Sequence, residues 1–385
     1  MMRLFRVIGF LYLACILQDV VALEKPDVDF LLDHPGISLS LSHNHVCTLS
    51  QRHNEDEIGG EAVCFGAHDT GHGHMQPPQD STFVQIVVGE HFGCGLLLDQ
   101  TVQCWGHFAD LKVEGMFTQI VSSNLFGCGI MTDEQISCWG HLPRFEAPKS
   151  DIGFVQIDCS DLHCCALDKL AVPTCWGEFS SDHKDNHYLR PPKQKSVVTL
   201  DGISSSSTNE IEQEEDGYDD NDTNLMKGDN VQFKQISVTS MYSCGIKLDN
   251  SLLCWGKEKA FGGIIKDVLK DDGPFKTIAV GELGVCAIYG DTGYDENEDE
   301  SESDGDGGGD GDGDGDEQRP KSNTLICWGR KAHGLYNRSK DEIMQHRWDQ
   351  IRVKTFSICG VTMKSELKCY SNSDHSDIPE DLIVA

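Results

Sequence analysis

Along most of the chain, short apolar runs alternate with polar turns at the two-residue beat of β-strands. Residues 94–98 and 101–105 are apolar or β-favouring and flank a short turn containing Asp99. That arrangement predicts a hairpin. A further strand precedes the hairpin. Phe83-Val84-Gln85-Ile86 alternates apolar with polar, and Phe117-Thr118-Gln119-Ile120, Phe154-Val155-Gln156-Ile157 and Phe233-Lys234-Gln235-Ile236 repeat it. Looser copies are Phe275-Lys276-Thr277-Ile278 and Trp348-Asp349-Gln350-Ile351. Each unit thus holds three clear strands, and a weak fourth after the hairpin is left open.

Cysteines sharpen the hairpin. Cys94…Cys104-Trp105-Gly106 returns as Cys128…Cys138-Trp139-Gly140, Cys165…Cys175-Trp176-Gly177 and Cys244…Cys254-Trp255-Gly256. Cys359…Cys369-Tyr370 keeps the spacing, while Cys47…Cys64-Phe65-Gly66 and Cys286…Cys327-Trp328-Gly329 are stretched copies. If residue 94 faces 104, the turn centres on residue 99, where Asp supports turns through its own side chain. Opposed residues in a non-hydrogen-bonded antiparallel pair stand roughly 4.5 Å apart at Cα, within reach of a disulfide. The pattern therefore predicts seven cross-hairpin bridges: Cys47–Cys64, Cys94–Cys104, Cys128–Cys138, Cys165–Cys175, Cys244–Cys254, Cys286–Cys327 and Cys359–Cys369. A loop of about eleven residues gains roughly 2.5–3 kcal/mol from closure, and the bridge pins the strand register.

One such unit cannot bury its aromatic and aliphatic faces alone. Repetition at about 34–47 residues points to blades around an axis. A string of independent disulfide-rich modules is the alternative, and the shared Phe-x-Gln-Ile…Cys…Cys-Trp-Gly frame favours the closed ring. The expected fold is all-β: a seven-bladed β-propeller, one bridged hairpin per blade, with two disordered acidic insertions.

The Cys-(Gly/Ala)…Cys-Trp-Gly unit resembles the repeat of the regulator-of-chromosome-condensation superfamily in its secreted, cysteine-bearing form, as in the extracellular repeats of crinkly-type receptor kinases. Trp328-Gly329-Arg330-Lys331-Ala332-His333-Gly334-Leu335 adds that family's glycine-containing continuation. The resemblance spans roughly residues 37–375 and implies a seven-bladed propeller. It implies little about function, because relatives include exchange factors, inhibitors, receptors and ligase subunits. The chain departs from the kinase relatives in showing no kinase motif or transmembrane span. It departs from the nuclear exchange factor in its export signal, cysteines and acidity.

Residues 1–22 read as a secretory signal: Arg3 and Arg6, an apolar run from Val7 to Leu17, then Val20-Val21-Ala22 before Leu23. Such a run is too short to span a bilayer; a retained anchor is the alternative. Residues 23–385 then form the propeller, interrupted at 178–230 and 291–322. The expected location is secreted and extracellular. Of 17 cysteines, Cys15 leaves with the signal, and the seven pairs leave Cys159 and Cys164. An even number in an exported chain favours an eighth bridge between those two. Pairing with another chain, or Cys164 replacing Cys165, are the alternatives. Zinc knuckles fit the spacings poorly.

Charge resides mainly in the insertions. The chain carries 31 basic and 63 acidic residues, a balance of −32. The runs Glu210–Asp222 and Asp291–Glu317 hold eight and fourteen carboxylates and no Lys or Arg, so without them the balance is only −10. Composition of this kind cannot bury enough apolar surface to fold alone. Asp310, Asp312, Asp314 and Gly315 imitate the start of a calcium loop, but Lys321 stands where an EF-hand needs a bidentate Glu. Weak Ca²⁺ association is therefore weighed against a plain solvated spacer, and no other cofactor is expected. Asn221-Asp222-Thr223 and Asn337-Arg338-Ser339 are glycosylation acceptors, at Asn221 and Asn337. His68, His72 and His74, spaced by glycines, are candidate Zn²⁺ or Cu²⁺ ligands, set against an ordinary solvated loop.

An acidic surface repels phosphate backbones, so nucleic acid is not an expected partner. No catalytic constellation stands out: there is no Gly-x-Ser-x-Gly elbow, no His-Glu-x-x-His and no phosphate loop. The chain reads as a non-catalytic extracellular recognition module whose loops meet a protein or glycan. The alternatives are an acidic, calcium-attracting matrix protein and a shed relative of receptor ectodomains.

Overall fold

A computed structural model describes residues 39–43, 45–50, 59–66, 71–141, 146–177, 191, 226–227, 231–256, 273–282, 284–291, 321–329, 345–354 and 357–371. The proposed signal at 1–22, both acidic runs apart from Asp291, His68, Asn221 and Asn337 lie outside these residues.

The first blade comprises β1 Leu39–Leu41, β2 His45–Ser50 and β3 Glu61–Gly66; the second, β4 Phe83–Val88, β5 Phe92–Leu97 and β6 Val102–Gly106. The third is β7 Phe117–Ser122, β8 Phe126–Met131 and β9 Ile136–Gly140. The fourth is β10 Phe154–Cys159, β11 His163–Asp168, β12 Pro173–Gly177 and β13 Met226–Lys227. The fifth is β14 Phe233–Val238, β15 Tyr242–Lys247 and β16 Leu252–Gly256. The sixth is β17 Phe275–Gly281, β18 Gly284–Tyr289 and β19 Leu325–Gly329; the seventh, β20 Trp348–Lys354, β21 Ser357–Thr362 and β22 Leu367–Ser371. Every sheet is antiparallel and follows sequence order. Among the described residues only the fourth blade has a fourth strand, and it arises from the end of the 178–230 insertion rather than directly after Trp-Gly.

The Phe-x-Gln-Ile segments become the inner strands, and the cysteine hairpins the middle and outer strands. Cys94 faces Cys104 in register, as in every blade, with bridged Cα atoms 4.0–4.1 Å apart. Cys159–Cys164 forms an eighth bridge, between β10 and β11. The hairpin turns of the second, third and fifth blades span three residues, the last left-handed: Gln100 (φ 69°), Glu134 (φ 65°) and Asn250 (φ 67°). Asp99, Asp133 and Asp249 accept the amides of Thr101, Gln135 and Ser251 at 3.0–3.1 Å, which holds the turn without glycine.

Alternation gives each blade two faces. One carries the bridge. The other stacks an inner-strand aromatic near an outer-strand one, as in Phe83–Trp105 and Phe117–Trp139, with ring centroids 5.7 and 5.4 Å apart. A Cβ at Gly93 would lie 2.3 Å from Trp105, and one at Gly95 2.1 Å from Phe83, so the residues flanking Cys94 must be small. The bridge of one blade then packs against the aromatic face of the next: Cys94, Leu96 and Cys104 meet Phe117, Ile120 and Trp139. The same interface recurs around the ring, ending where Cys359, Val361 and Leu367 meet Leu39, Leu41 and Val46. Among the described residues the ring closes by contact of β1 with β20, and no sheet mixes strands from the two ends of the chain.

Candidate functional site

Inner strands line the axis, so the turns joining them to the middle strands lie nearest to it, all at one end. The cysteine-hairpin turns project at the opposite end, farther out. The chain enters the 178–230 insertion from the axial end, after Gly177, whereas the 292–320 segment joins β18 to β19 at the hairpin end. The two insertions thus leave from opposite ends.

The axial turns form a fixed crown. Hydroxyls of Ser123, Ser160 and Thr239 accept the amides of Phe126, His163 and Tyr242 at 3.1–3.2 Å, closing each turn from within. Neighbouring turns are tied together. Glu90 N donates to Asn124 O at 3.0 Å, while Asn124 donates through N and Nδ2 to the two Asp161 carboxylate oxygens at 2.8 and 2.7 Å. In the second to fifth blades the residue just before the middle strand projects outward. Leu125, Leu162 and Met241 are 50%, 42% and 49% exposed at that place, and His91 occupies it in the second blade.

Beneath the crown runs a shaft of about 180 Å³ lined by the inner strands. Equivalent register positions place Ser40, Val87, Val121, Asp158, Ser237, Ala279 and Arg352 around it. Asp158 accepts Val238 N at 2.7 Å and Cys159 N at 3.0 Å. Burial raises its pKa, against the pull of those amides and of the Arg352 charge. Arg352 keeps accessible surface inside the shaft, yet protein encloses it, and that desolvation lowers its pKa against the stabilising Asp158 charge.

Gln85, Gln119, Gln156 and Gln235 act as clasps from one blade to the next. Gln85 accepts Ile120 N and donates to Ile120 O, both at 2.8 Å; Gln156 does the same with Ile236 at 3.0 and 3.1 Å. Gln119 and Gln235 accept Ile157 N and Ile278 N. The recurring glutamine is therefore a structural feature of the ring.

Histidines gather beside the crown. His107 and His141 each follow a Trp-Gly pair, in consecutive blades, and their Nε2 atoms are 3.3 Å apart. His72 lies 5.8 Å from His107 and 4.9 Å from His91 between ring centroids. His74 turns inward: it is buried, 4.9 Å from His45 and 5.9 Å from His91, and its carbonyl accepts Trp105 Nε1 at 2.9 Å. The local reading of His68, His72 and His74 missed His91, His107 and His141, which only the ring geometry brings near; the repeated Trp-Gly-His was the signal for two of them. Among the described residues, the one compact group of potential ligand atoms is Cys128, Cys159 and Cys164, and all three sulfurs are in disulfides.

Ser42 Oγ and His45 Nδ1 are 2.7 Å apart, and Ser160 Oγ and His163 Nδ1 3.3 Å. These pairs sit fully buried between strands. Burial pushes His163 down to about 3, and its Nε2 lies 3.0 Å from Ser243 Oγ across the blade interface.

No family model and no curated protein matches the chain. Solved structures do. The CRINKLY WD40 ectodomain of the Arabidopsis thaliana receptor kinase ACR4 superposes with a TM-score of 0.56 at 16% identity, over 90% of this chain and 98% of that one. The chain has the fold of these propellers. The ectodomain of the Physcomitrella patens receptor kinase CR4 gives 0.53 at 15%, over 87% and 72%. Prp20p of Saccharomyces cerevisiae, the yeast RCC1, gives 0.53 at 12%, over 92% and 88%. Among the described residues no helix is long and apolar enough to cross a membrane.

Proposed function

We propose that the chain is an extracellular recognition module, non-catalytic, that binds a protein or glycan partner with the axial crown. The observation that carries this reading is the repetition of exposed Leu125, Leu162 and Met241 at one turn position, on backbone tied by the Asn124–Asp161 bonds. Apolar side chains held rigidly in water cost little to order on binding, which is what an interface core requires. Exposed Leu98, Leu170, Leu248 and Met363 at the hairpin end are set farther from the axis and beside acidic turns, a poorer focus for one partner. Eight bridges suit an oxidising compartment, and the structural likeness to two receptor ectodomains agrees with export. The yeast likeness, to a protein described with binding to Gsp1p and histones, supports protein binding by this fold more generally.

Leu125→Glu, Leu162→Glu and Met241→Glu together test the reading, because all three side chains are exposed and the bridges remain. Material captured from culture medium by the unaltered protein should be lost from the triple variant while its melting temperature holds. Equal capture by both, with loss on Leu98→Glu and Met363→Glu instead, would move the site to the hairpin end.

A further inference from the structure

We propose that His107, His141 and His72 form a binding site for a zinc-type divalent transition-metal ion at the outer edge of the crown. The His107 and His141 Nε2 atoms stand 3.3 Å apart. Two imidazoles at Zn–N distances near 2.0–2.1 Å and a tetrahedral angle have nitrogens about 3.3–3.4 Å apart, so the pair already has the spacing of two ligands on one ion.

The fold produces that spacing by construction. His107 N donates to His91 O at 2.9 Å, and His141 N to Leu125 O at 3.1 Å, so both residues continue their outer strands in the same way. One blade step brings the two rings to 5.4 Å between centroids, over Phe108. Both imidazoles are exposed and reachable from solvent. Without an ion, the contact requires one nitrogen to donate and the other to accept, because two protonated rings would repel.

His72 supplies the third ligand. It is exposed and sits between Gly71 and Gly73, both left-handed at φ 89° and 70°, with its ring 5.8 Å from that of His107. The loop is fixed beyond it by the Trp105 bond to the His74 carbonyl, which keeps His72 over this edge. Three neutral imidazoles with water in the remaining position suit zinc or copper rather than calcium. The ligand set differs from the local triplet of the sequence: His74 faces inward, and its place is taken by residues from the next two Trp-Gly pairs.

Zinc sulfate titrated into the whole secreted protein, followed by calorimetry, tests this, with Co²⁺ absorption as a report of tetrahedral nitrogen coordination. One ion per chain is expected at micromolar concentrations. His107→Ala or His141→Ala should weaken it at least about tenfold, the loss that even outer-shell partners cause, and His72→Ala should weaken it too. All three positions are exposed, so the melting temperature without metal should not move. Absence of heat at micromolar zinc, full affinity in a His107→Ala/His141→Ala double variant, or loss with His74→Ala but not with His141→Ala would each overturn the proposal. The test is independent of the recognition reading, since it requires no partner.

Discussion

The second and fourth blades have the same strand register, and three of the places where they differ show what the repeat leaves open. Val87 of the second becomes Asp158, Phe92 becomes His163, and Gly93 becomes Cys164. In the second blade these places are apolar or empty, and cohesion comes from ring stacking on a bare glycine. In the fourth they hold a half-buried carboxylate that accepts two amides, a buried imidazole bonded across the interface, and an extra bridge beside Cys128. The repeat thus prescribes a backbone and a bridge, while interface chemistry varies from blade to blade. At these places of the fourth blade the neighbouring blade supplies partners, Val238 N to Asp158 and Ser243 Oγ to His163.

The bridges set the largest expected difference. Cys286–Cys327 spans 41 positions and Cys94–Cys104 spans 10. Loop-closure entropy gives about 4 kcal/mol for the first and about 3 for the second. Paired Cys→Ala variants followed by urea unfolding should rank in that order. Equal losses would mean that native packing, rather than the length of the closed loop, governs these hairpins.

The buried imidazole of the fourth blade predicts acid sensitivity that the second lacks. Burial holds His163 near 3, whereas the unfolded chain takes up that proton near the ordinary 6.5. Between these values the unfolded state binds more protons, so stability rises with pH and is lost as pH falls below about 6.5. From pH 6.5 to 4.5 the contribution is about 2–3 kcal/mol. His163→Phe, which installs the side chain of the second blade, should flatten unfolding free energy across that interval relative to the unaltered protein. An unchanged slope would assign the acid sensitivity to other groups. The overall stability of the variant is a separate matter, because Ser243 loses its partner.

A smaller effect follows from the position after the first cysteine. Gly95 lies under Phe83, but the fourth blade has Ala166 there, fully buried beside Phe154. Gly95→Ala should cost about 1–3 kcal/mol by overpacking, measured by thermal unfolding, and Ala166→Gly should cost less than that. If Gly95→Ala is neutral, Phe83 can shift as Phe154 has done.

Much of this was legible in the chain because it is local. Ten-residue cysteine spacing defines a hairpin, the Asp at its tip defines the turn, and Phe-x-Gln-Ile defines a strand one element earlier. The role of that glutamine was not legible, since its partner lies in the following blade. Nor was the axial end, which depends on which strands line the shaft. His72, His91, His107 and His141 come from four separate stretches, and a local reading stops at His68, His72 and His74. Ring closure was ambiguous for a similar reason: both termini offer β-favouring residues, and it is the packing of β1 on β20 that joins the first and last blades among the described residues.

The clasps offer the finest test of the difference between blades. Gln156 is 6% exposed and satisfies both backbone groups of Ile236. Removing it strands a buried amide and a buried carbonyl, at about 1–3 kcal/mol. The sixth blade has Thr277 in that place, too short to reach the seventh, and there Lys276 Nζ approaches Asp349 Oδ1 at 3.5 Å instead. That pair is partly exposed, so its contribution is at most about 1 kcal/mol. Gln156→Ala should therefore lower the unfolding midpoint clearly, and Lys276→Ala only slightly, with the small effect vanishing at high salt. The opposite ranking would mean that the ring is tied by charge at its perimeter, and that the glutamines merely occupy the wall of the shaft.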